Sequence, residues 1–420
     1  MDLDGFRLVN DSFGHLAGDR LLVEVATRLK SVLQSQDIIA RFGGDEFIIL
    51  LPKIANINNT VKVSESIQKA LKPAFIIDSQ EIFIGTSIGI VLSTDGEQEA
   101  EKILRNGDIA LYKAKAKGKG TYEVFDSNML AQIMERMSLE THLRKGLNKQ
   151  EFEVYYQPII ETKTREIIGF EALLRWHHPL LGTVLPDTFI PIAEETGLII
   201  DLGWQVFSQA CHQISLWQQK YPQAKSWFIS INLSIRQFAQ ACLVSRIEKI
   251  LATTHLAPQN LKLEITESIM MSNSQVNIAK IKRIKNLGIQ ISIDDFGTGY
   301  SSLSYLNRFP IDIIKIDRSF VSLIGECPKN QKIIEAIILL AHKLGMNIVA
   351  EGVETEAQVE ILRLLKCESV QGYLFAPPLT VKSLEDVFAN LFKNEFIRST
   401  FSNNKALANN SCPDQVISCN

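Results

Sequence analysis

Leu261-Lys262-Leu263-Glu264-Ile265-Thr266 is a short apolar strand pattern ending on carboxylates, and Ile289-Gln290-Ile291-Ser292-Ile293-Asp294-Asp295 repeats it after an amphipathic helical stretch. Short apolar runs read as buried strands, and a 3.6-residue apolar period between them reads as helix. The same rhythm extends outward in both directions, from about residue 150 to 390. Further strand candidates are Phe152–Tyr156, Ile167–Leu174, Trp227–Asn232, Ile311–Ile316, Asn347–Ala350 and Ser369–Tyr373. About eight strand–helix units in roughly 240 residues have the size and rhythm of an α/β, TIM-like (β/α) barrel.

The polar groups lie where those strands end. Glu171 follows Ile167-Ile168-Gly169-Phe170, Asn232 closes Phe228-Ile229-Ser230-Ile231, and Glu264 closes its own strand with Glu267 three residues on. Asp294 and Asp295 close the next strand, Lys315 follows Ile311-Asp312-Ile313-Ile314, Glu351 follows Ile348-Val349-Ala350, and Gln371 follows Ser369-Val370. In a barrel the C-terminal strand ends share one face, where active sites form. Any one carboxylate there could simply cap the following helix. Glu171, Glu264, Asp294, Asp295 and Glu351 together, with Lys315 alone to offset them, need another account. Two like charges about 5 Å apart repel by roughly 3 kcal/mol at an effective dielectric of about 20. Divalent cations, protons or distance must relieve such a cluster. All-oxygen donors favour Mg²⁺ or Mn²⁺ over Zn²⁺, and the adjacent Asp294-Asp295 pair suits two neighbouring cations, an arrangement used for in-line displacement at phosphorus.

Bulk properties exclude several other classes. The 420 residues are 46% hydrophobic and 22% charged, the composition of an ordinary globular protein. The net charge of −3 gives no general attraction to nucleic acid or an anionic membrane. The apolar runs, such as Ala336–Ala341, fall far short of the roughly 18 residues of a bilayer span. The six cysteines are scattered without a C-x-x-C pair, which reads as reduced thiols in a cytoplasmic protein. His177-His178 reads as a surface or turn pair, not as metal ligands.

Ahead of the barrel, residues 1–126 mix strand runs (Phe47–Leu51, Ile82–Leu92) with helices, as in an α+β domain. Leu21, Leu22, Val25, Ala26, Leu29, Val32 and Leu33 share one helical face. Gly43-Gly44-Asp45-Glu46-Phe47 reads as a tight hairpin turn. Residues 127–149 read as a helical connector, 150–395 as the barrel and 396–420 as a disordered polar tail.

These motifs resemble two known families. Glu171-Ala172-Leu173-Leu174-Arg175, with Tyr156-Gln157-Pro158-Ile159, Asn232-Leu233-Ser234, Glu264-Ile265-Thr266-Glu267-Ser268, Asp294-Asp295-Phe296-Gly297-Thr298-Gly299-Tyr300, Lys315-Ile316-Asp317, Glu351-Gly352-Val353-Glu354 and Gln371-Gly372-Tyr373, resembles the EAL-domain cyclic di-GMP phosphodiesterases over roughly residues 140–392. The resemblance implies two Mg²⁺ or Mn²⁺ ions per site and hydrolysis of cyclic di-GMP to linear pGpG. It implies Glu171, Asn232, Glu264 and Asp294 as ligands of the first ion, Asp294 bridging to the second, and Asp295 beside it. Lys315 then holds or deprotonates the attacking water, and Glu351 is a second-ion ligand or an orienting group. Gln157 and Arg175 are implied substrate contacts, Gln371 a site-lining group, and Glu267 the anchor of the Asp294–Leu303 loop.

Residues 1–126 resemble a GGDEF diguanylate cyclase domain through Gly43–Phe47, Asn10–His15, Gly18-Asp19, Ser87-Ile88-Gly89 and Ala110–Lys115. The resemblance implies Asp2 and Asp45 as metal ligands, Glu46 as a catalytic-site carboxylate, Asn10 and Asp19 as guanine contacts, and Lys115 on a phosphate of GTP. Three departures argue for an inactive or regulatory, GTP-binding domain. The chain starts inside the family's Asp-x-Asp segment, so the domain is truncated and Asp2 is expected at a frayed terminus with core exposed beside it. Lys119 stands where the family has a phosphate-binding Arg, and Gln34 where its product-site Arg-x-x-Asp begins. A natural protein beginning further upstream, with sensor or membrane segments, is expected on the same ground. The alternatives are a cyclic di-GMP receptor that binds without cutting and a bifunctional cyclase/phosphodiesterase. A homodimer through the EAL domain is a further implication of the resemblance.

Overall fold

The computed structural model describes residues 1–54, 56–92, 99–271, 274–297, 306, 308–325 and 328–393. The expected tail, 396–420, lies outside the described residues, as does most of the Asp294–Leu303 loop. The chain forms two compact units, Met1–Ser138 and Leu139–Asn420, and the boundary falls inside the helix Ser127–Asn148.

In the first unit β1 (Asp2–Asp4), β2 (Ile38–Gly43), β3 (Glu46–Leu50), β6 (Gly85–Ile90) and β7 (Tyr122–Val124) form one sheet in the order β2-β3-β1-β6-β7. β4 (Phe75–Ile77) and β5 (Gln80–Ile82) form a separate hairpin. The single long strand expected over Ile82–Leu92 is therefore two strands in two sheets. Asp78 and Ser79 both take positive φ, the conformation a tight two-residue hairpin needs, and the chain changes sheets at Phe83, which is exposed. The helix His15–Val32 buries Leu21, Leu22, Val25 and Leu29 on one face, while Leu33 lies just beyond its end. Gly89 lets the helix Ala100–Ala116 lie directly on β6, because a Cβ there would fall 2.2 Å from the carbonyl oxygen of Gly107.

The frayed terminus expected at Asp2 is not found. β1 occupies the centre of the sheet, pairing antiparallel with both β3 and β6, and Asp2 and Leu3 are buried. The Met1 amino group donates to the Phe47 carbonyl at 2.8 Å. Bonds to β3 at Met1 and Leu3, with pairing to β6 along Asp2–Asp4, are enough to fix this segment and cover the core beneath it.

The second unit is a closed barrel. Its sheet runs β8 (Phe152–Glu161), β9 (Ile167–His178), β11 (Phe228–Asn232), β12 (Leu261–Thr266), β13 (Gln290–Phe296), β14 (Ile313–Ile316), β15 (Asn347–Ala350) and β16 (Ser369–Val370), then returns to β8. A short β10 (Gly182–Val184) hangs from the end of β9. Every strand candidate read from the sequence overlaps one of the eight barrel strands. The regular strand–helix alternation fails at its first step: β8 is antiparallel to both of its neighbours, and only a turn joins it to β9. A parallel pair needs a crossover of a dozen or more residues, and residues 162–166 are too few. The other seven strands are parallel, so their C-terminal ends open on one face.

Ile159, Phe228, Ile313 and Val349 meet in one buried cluster. They come from β8, β11, β14 and β15, which are not all neighbours, so they meet across the barrel's interior and plug it below the mouth. Outside, Phe388 packs 5.0 Å from the Trp227 ring and 5.4 Å from Trp217, seating the last described helix, Val381–Lys393, on the barrel wall.

Candidate active site

Alternation along a strand puts residues i and i+2 on the same face. Ser230 and Asn232 on β11, Lys262 and Glu264 on β12, and Ser292 and Asp294 on β13 thus share the inward face. Higher in the barrel these positions are polar, and at the mouth they converge on Lys315. Its ammonium lies 2.6 Å from Glu264 Oε2, 3.0 Å from Asp294 Oδ1, 3.5 Å from Glu171 Oε2 and 2.5 Å from Glu351 Oε1. Lys315 is 1% exposed, so this is one buried cation among four carboxylates.

The remaining barrel groups complete the ring. Asn232 Nδ2 donates to Glu171 Oε1 at 2.8 Å, and Gln371 Nε2 donates to Glu171 Oε2 at 2.7 Å. Gln371 Nε2 also donates to Gln157 Oε1 at 2.9 Å, and Gln157 Nε2 to the Ala376 carbonyl. Gln157 comes from the antiparallel β8, directly opposite Glu171. Gln371 depends on the glycine after it: a Cβ at Gly372 would fall 2.0 Å from the Val353 carbonyl oxygen.

Asp294 and Asp295 pose a geometric question, because adjacent strand residues normally face opposite ways. The pairing of β13 with β14 shifts register between Ile293 and Phe296, and Asp295 has φ +52°. This bulge turns the second carboxylate toward the first. Carboxylate oxygens of Asp294, Asp295 and Glu351 all lie within 4.8 Å of one another. Bulges commonly re-aim side chains beside active sites.

The electrostatics follow from this crowding. Burial pushes Glu264 well above the usual carboxylate range, and the charges of Glu171, Asp294 and Glu351 push it further against the pull of Lys315. Burial pushes Glu351 up to about 8, with Lys315 opposing and Asp294 and Glu171 adding. Asp295 is raised by burial, then by Asp294 and Asp317. For Glu171, burial is outweighed by Lys315 and by the amides of Gln371 and Asn232, which hold it below its ordinary value. Burial alone would lower Lys315, but the surrounding carboxylates raise it well above the normal ammonium value.

These residues fit a divalent cation. Negative charge exceeds positive, every donor is oxygen apart from Lys315, and Asp294 Oδ1 is buried close to Lys315 yet accepts no well-aligned hydrogen bond. Beside Asp294 and Asp295 opens a cavity of about 340 Å³ lined also by Thr266, Glu267, Ser234 and Glu194. That volume is in the range of small-ligand sites. Glu267 Oε1 accepts from the Gly297 backbone N–H at 3.1 Å, holding the described start of the Asp294–Leu303 loop. Arg175 stands apart from the carboxylate cluster. It is four residues beyond Glu171 on β9, about 13 Å along the strand, half-buried, with its guanidinium donating to the Leu174 carbonyl.

Sequence reasoning gave no role to two residues here, Asp317, which it quoted only as part of a motif, and Ser230. Asp317, two residues past Lys315, caps the helix Arg318–Val321 and lies close enough to raise Asp295; its strand-end position was the available signal. Ser230 had no signal beyond inward parity. Of the two expected settings for His178, surface or turn, the structure gives the turn: it is 5% exposed, its Nδ1 accepts from the Leu180 and Leu181 N–H groups, and its Nε2 lies 3.0 Å from His142 Nδ1.

In the first unit, Asp2 pairs in register with Glu46, and Lys115 Nζ lies 2.7 Å from Asp2 Oδ1. Asp45 occupies the hairpin turn, raised by burial and by Asp2. Asn10 and Asp19 sit on the two helices after β1. Asn10 fills space that a side chain at position 18 would take, since a Cβ on Gly18 would fall 1.9 Å from Asn10 Oδ1. Asp19 is exposed. Asp4 accepts from Ser87 Oγ and from the Gly120 N–H, which ties β1 to the segment before β7.

Comparison with known proteins places these sites in families. The family model "EAL domain" matches residues 140–378, and "Diguanylate cyclase, GGDEF domain" matches residues 1–121. The chain is 41% identical over 384 residues to the Bifunctional diguanylate cyclase/cyclic di-GMP phosphodiesterase MucR of Pseudomonas aeruginosa, covering 91% of this chain and 56% of that protein. It is 36% identical over 393 residues to the Cyclic di-GMP phosphodiesterase PdeR of Escherichia coli, covering 94% of this chain and 59% of that one. It thus spans about half the length of the curated relatives it matches. Among solved structures, the PaMucR phosphodiesterase in complex with c-di-GMP is 42% identical, covering 59% of this chain and 99% of that one with a TM-score of 0.57. No helix among the described residues is long and apolar enough to cross a membrane. The barrel match takes in more than half of the 420 residues, and the chain belongs to the EAL-domain family, with a GGDEF domain ahead of the barrel.

Proposed function

We propose that the barrel hydrolyses cyclic di-GMP to linear pGpG. The observation that carries this reading is the buried Lys315 ammonium held within 4 Å of Glu171, Glu264, Asp294 and Glu351, with Asp294 also lining the adjoining cavity. Relatives named as cyclic di-GMP phosphodiesterases, and a solved relative in complex with c-di-GMP, support the choice of substrate. Water adds across one P–O bond of the ring, leaving a 5′-phosphate on one guanosine and a 3′-hydroxyl on the other.

Glu171, Asn232, Glu264, Asp294 and Asp295 would hold Mg²⁺ or Mn²⁺, with Glu351 as a further ligand or as an orienting group. When bound, such ions acidify water and neutralise charge developing on the phosphoryl oxygens. Lys315 supplies a fixed positive charge at the same centre and donates a hydrogen bond to the attacking water or its hydroxide. Glu351, 2.5 Å from Lys315, would orient that water or help hold the second ion. Gln157 and Gln371 fix the orientation of Glu171, and Arg175 at the rim is placed to grip the phosphate not being cut.

In the first unit, Asp2 fixed at the centre of the sheet beside Glu46 and Lys115 favours a regulatory domain that binds GTP. Lys119 and Gln34 remain departures that count against cyclase activity. The free thiols of Cys211, Cys242 and Cys367 fit a reducing, cytoplasmic setting.

The test is incubation of the purified chain with cyclic di-GMP and Mn²⁺, with products resolved by chromatography. The expected result is pGpG whose formation stops on adding a chelator. Substrate that is bound but left intact would favour the receptor reading.

A further inference from the structure

Glu264 is the deepest carboxylate of the cluster, 2% exposed, and its two oxygens face different partners. Oε2 takes the Lys315 ammonium at 2.6 Å, and Oε1 takes the hydroxyl of Ser230 at 2.5 Å. Ser230 lies on β11 two residues before Asn232, so both point into the barrel, and it sits in register beside Glu171 on β9. It is 1% exposed. The last torsion of a glutamate is broad, so the plane of its carboxylate is set largely by the donors it meets. Here the Ser230 hydroxyl is one of them.

We infer that Ser230 is a positioning residue for the cation site: its hydroxyl locks the plane of Glu264 so that a single oxygen is turned toward the mouth. The inference rests on the divalent-cation reading given above. The geometry accounts for a small polar residue at a position where β11 otherwise supplies apolar packing. An apolar one would leave Oε1 buried without its donor and free to swing toward the cation, changing how many oxygens Glu264 presents. Partners of this kind, behind a ligand, typically change metal affinity by about 10–100-fold when removed.

The experiment uses the full chain and three substitutions, Ser230→Ala, Ser230→Thr and Ser230→Cys. Mn²⁺ binding is measured by calorimetry without substrate, and hydrolysis is measured across a Mn²⁺ series. Ser230→Ala is expected to bind Mn²⁺ about 10–100-fold more weakly and to need correspondingly more Mn²⁺ for half-maximal rate. At saturating Mn²⁺ its KM for cyclic di-GMP stays at the wild-type value and most of kcat returns. Ser230→Thr, which keeps the hydroxyl, restores Mn²⁺ affinity, a rescue that a volume effect alone would not give. Should Ser230→Ala fail to fold by circular dichroism, Ser230→Cys carries the same comparison, since it keeps the size and weakens the donor. Equal Mn²⁺ affinity in wild type and the hydroxyl-free variant would overturn the role of Ser230 and leave the cation reading standing. A folded wild type that takes up neither Mn²⁺ nor Mg²⁺ would overturn both.

Discussion

On the proposed function, Lys315 carries both chemistry and the charge balance of the buried cluster in one side chain. Removing one partner of a buried charge cluster leaves the rest uncompensated, at a cost of about 3–5 kcal/mol. Lys315→Met should therefore abolish hydrolysis and lower the chelator-treated protein's urea stability by about that amount, with added Mn²⁺ recovering much of the stability and none of the activity. Glu171→Ala acts from the anionic side. It removes an expected ligand and one carboxylate neighbour of Glu264 but also a partner of Lys315, so pGpG formation should fall by at least about 100-fold while the chain still folds with an unfolding free energy lower by about 1–3 kcal/mol. Wild-type turnover in that variant would sink the ligand assignment. Lys262 lies deeper, inside the barrel, with its ammonium 3.3 Å from the centre of the Phe228 ring. Burial depresses it to about 8, against the small opposing pull of Glu264 and Asp312. A lysine depressed in the fold opposes folding while charged: the penalty is full below pH 8 and is lost as pH rises toward the unfolded value of about 10.4. Lys262→Met should stabilise the protein by about 2–3 kcal/mol at pH 7, and the gain over wild type should shrink by pH 10. Denaturation of the pair at both pH values checks the sign.

At the scale of elements, the bulge in β13 is the feature that the sequence did not disclose. Asp294 and Asp295 are adjacent, and strict alternation would have sent one of them to the outer face. Their pairing at the mouth depends on the positive φ of Asp295, which costs an ordinary residue about 1 kcal/mol or more. Asp295→Gly should consequently raise stability by about 1 kcal/mol while reducing hydrolysis; a variant that lost both, by denaturation and product assay, would show the bulge to be held by something other than its turn. Much of the rest of the mouth was legible because β12, β14 and β15 carry their polar group within two residues of the strand end: Glu264 after Leu263, Lys315 after Ile314, Glu351 after Ala350. Apolar run and polar stop are both written locally. The direction of β8 was not legible, since Phe152–Tyr156 reads the same whichever way it runs, and only the short turn at residues 162–166 betrays it. Ser230 escaped for a related reason: a serine inside an apolar strand looks like a neutral filler until its neighbour across the sheet is known. At Asp2 the sequence misled, because a terminus is ordinarily loose, whereas here hydrogen bonds from two flanking strands hold it.

For the whole molecule, the division into two compact units predicts that residues 127–395 alone fold and retain pGpG formation. Calorimetry of the full chain should then show two transitions, with Mn²⁺ raising the one that belongs to the barrel. A single transition, or an inactive fragment that still binds cyclic di-GMP, would show that the first unit is needed for catalysis. Barrel closure carries one more consequence. β16 pairs with β8, and the bond from Gln371 to Gln157 spans 214 positions of sequence. Contacts between such remote segments form late, because the loop they close must be ordered first. During translation, the strands bearing Glu171, Glu264 and Asp294 leave the ribosome well before Gln371 does. A nascent chain therefore carries most of the site's carboxylates while still lacking the strand that seals it, and the proposed hydrolysis begins only once synthesis has passed β16.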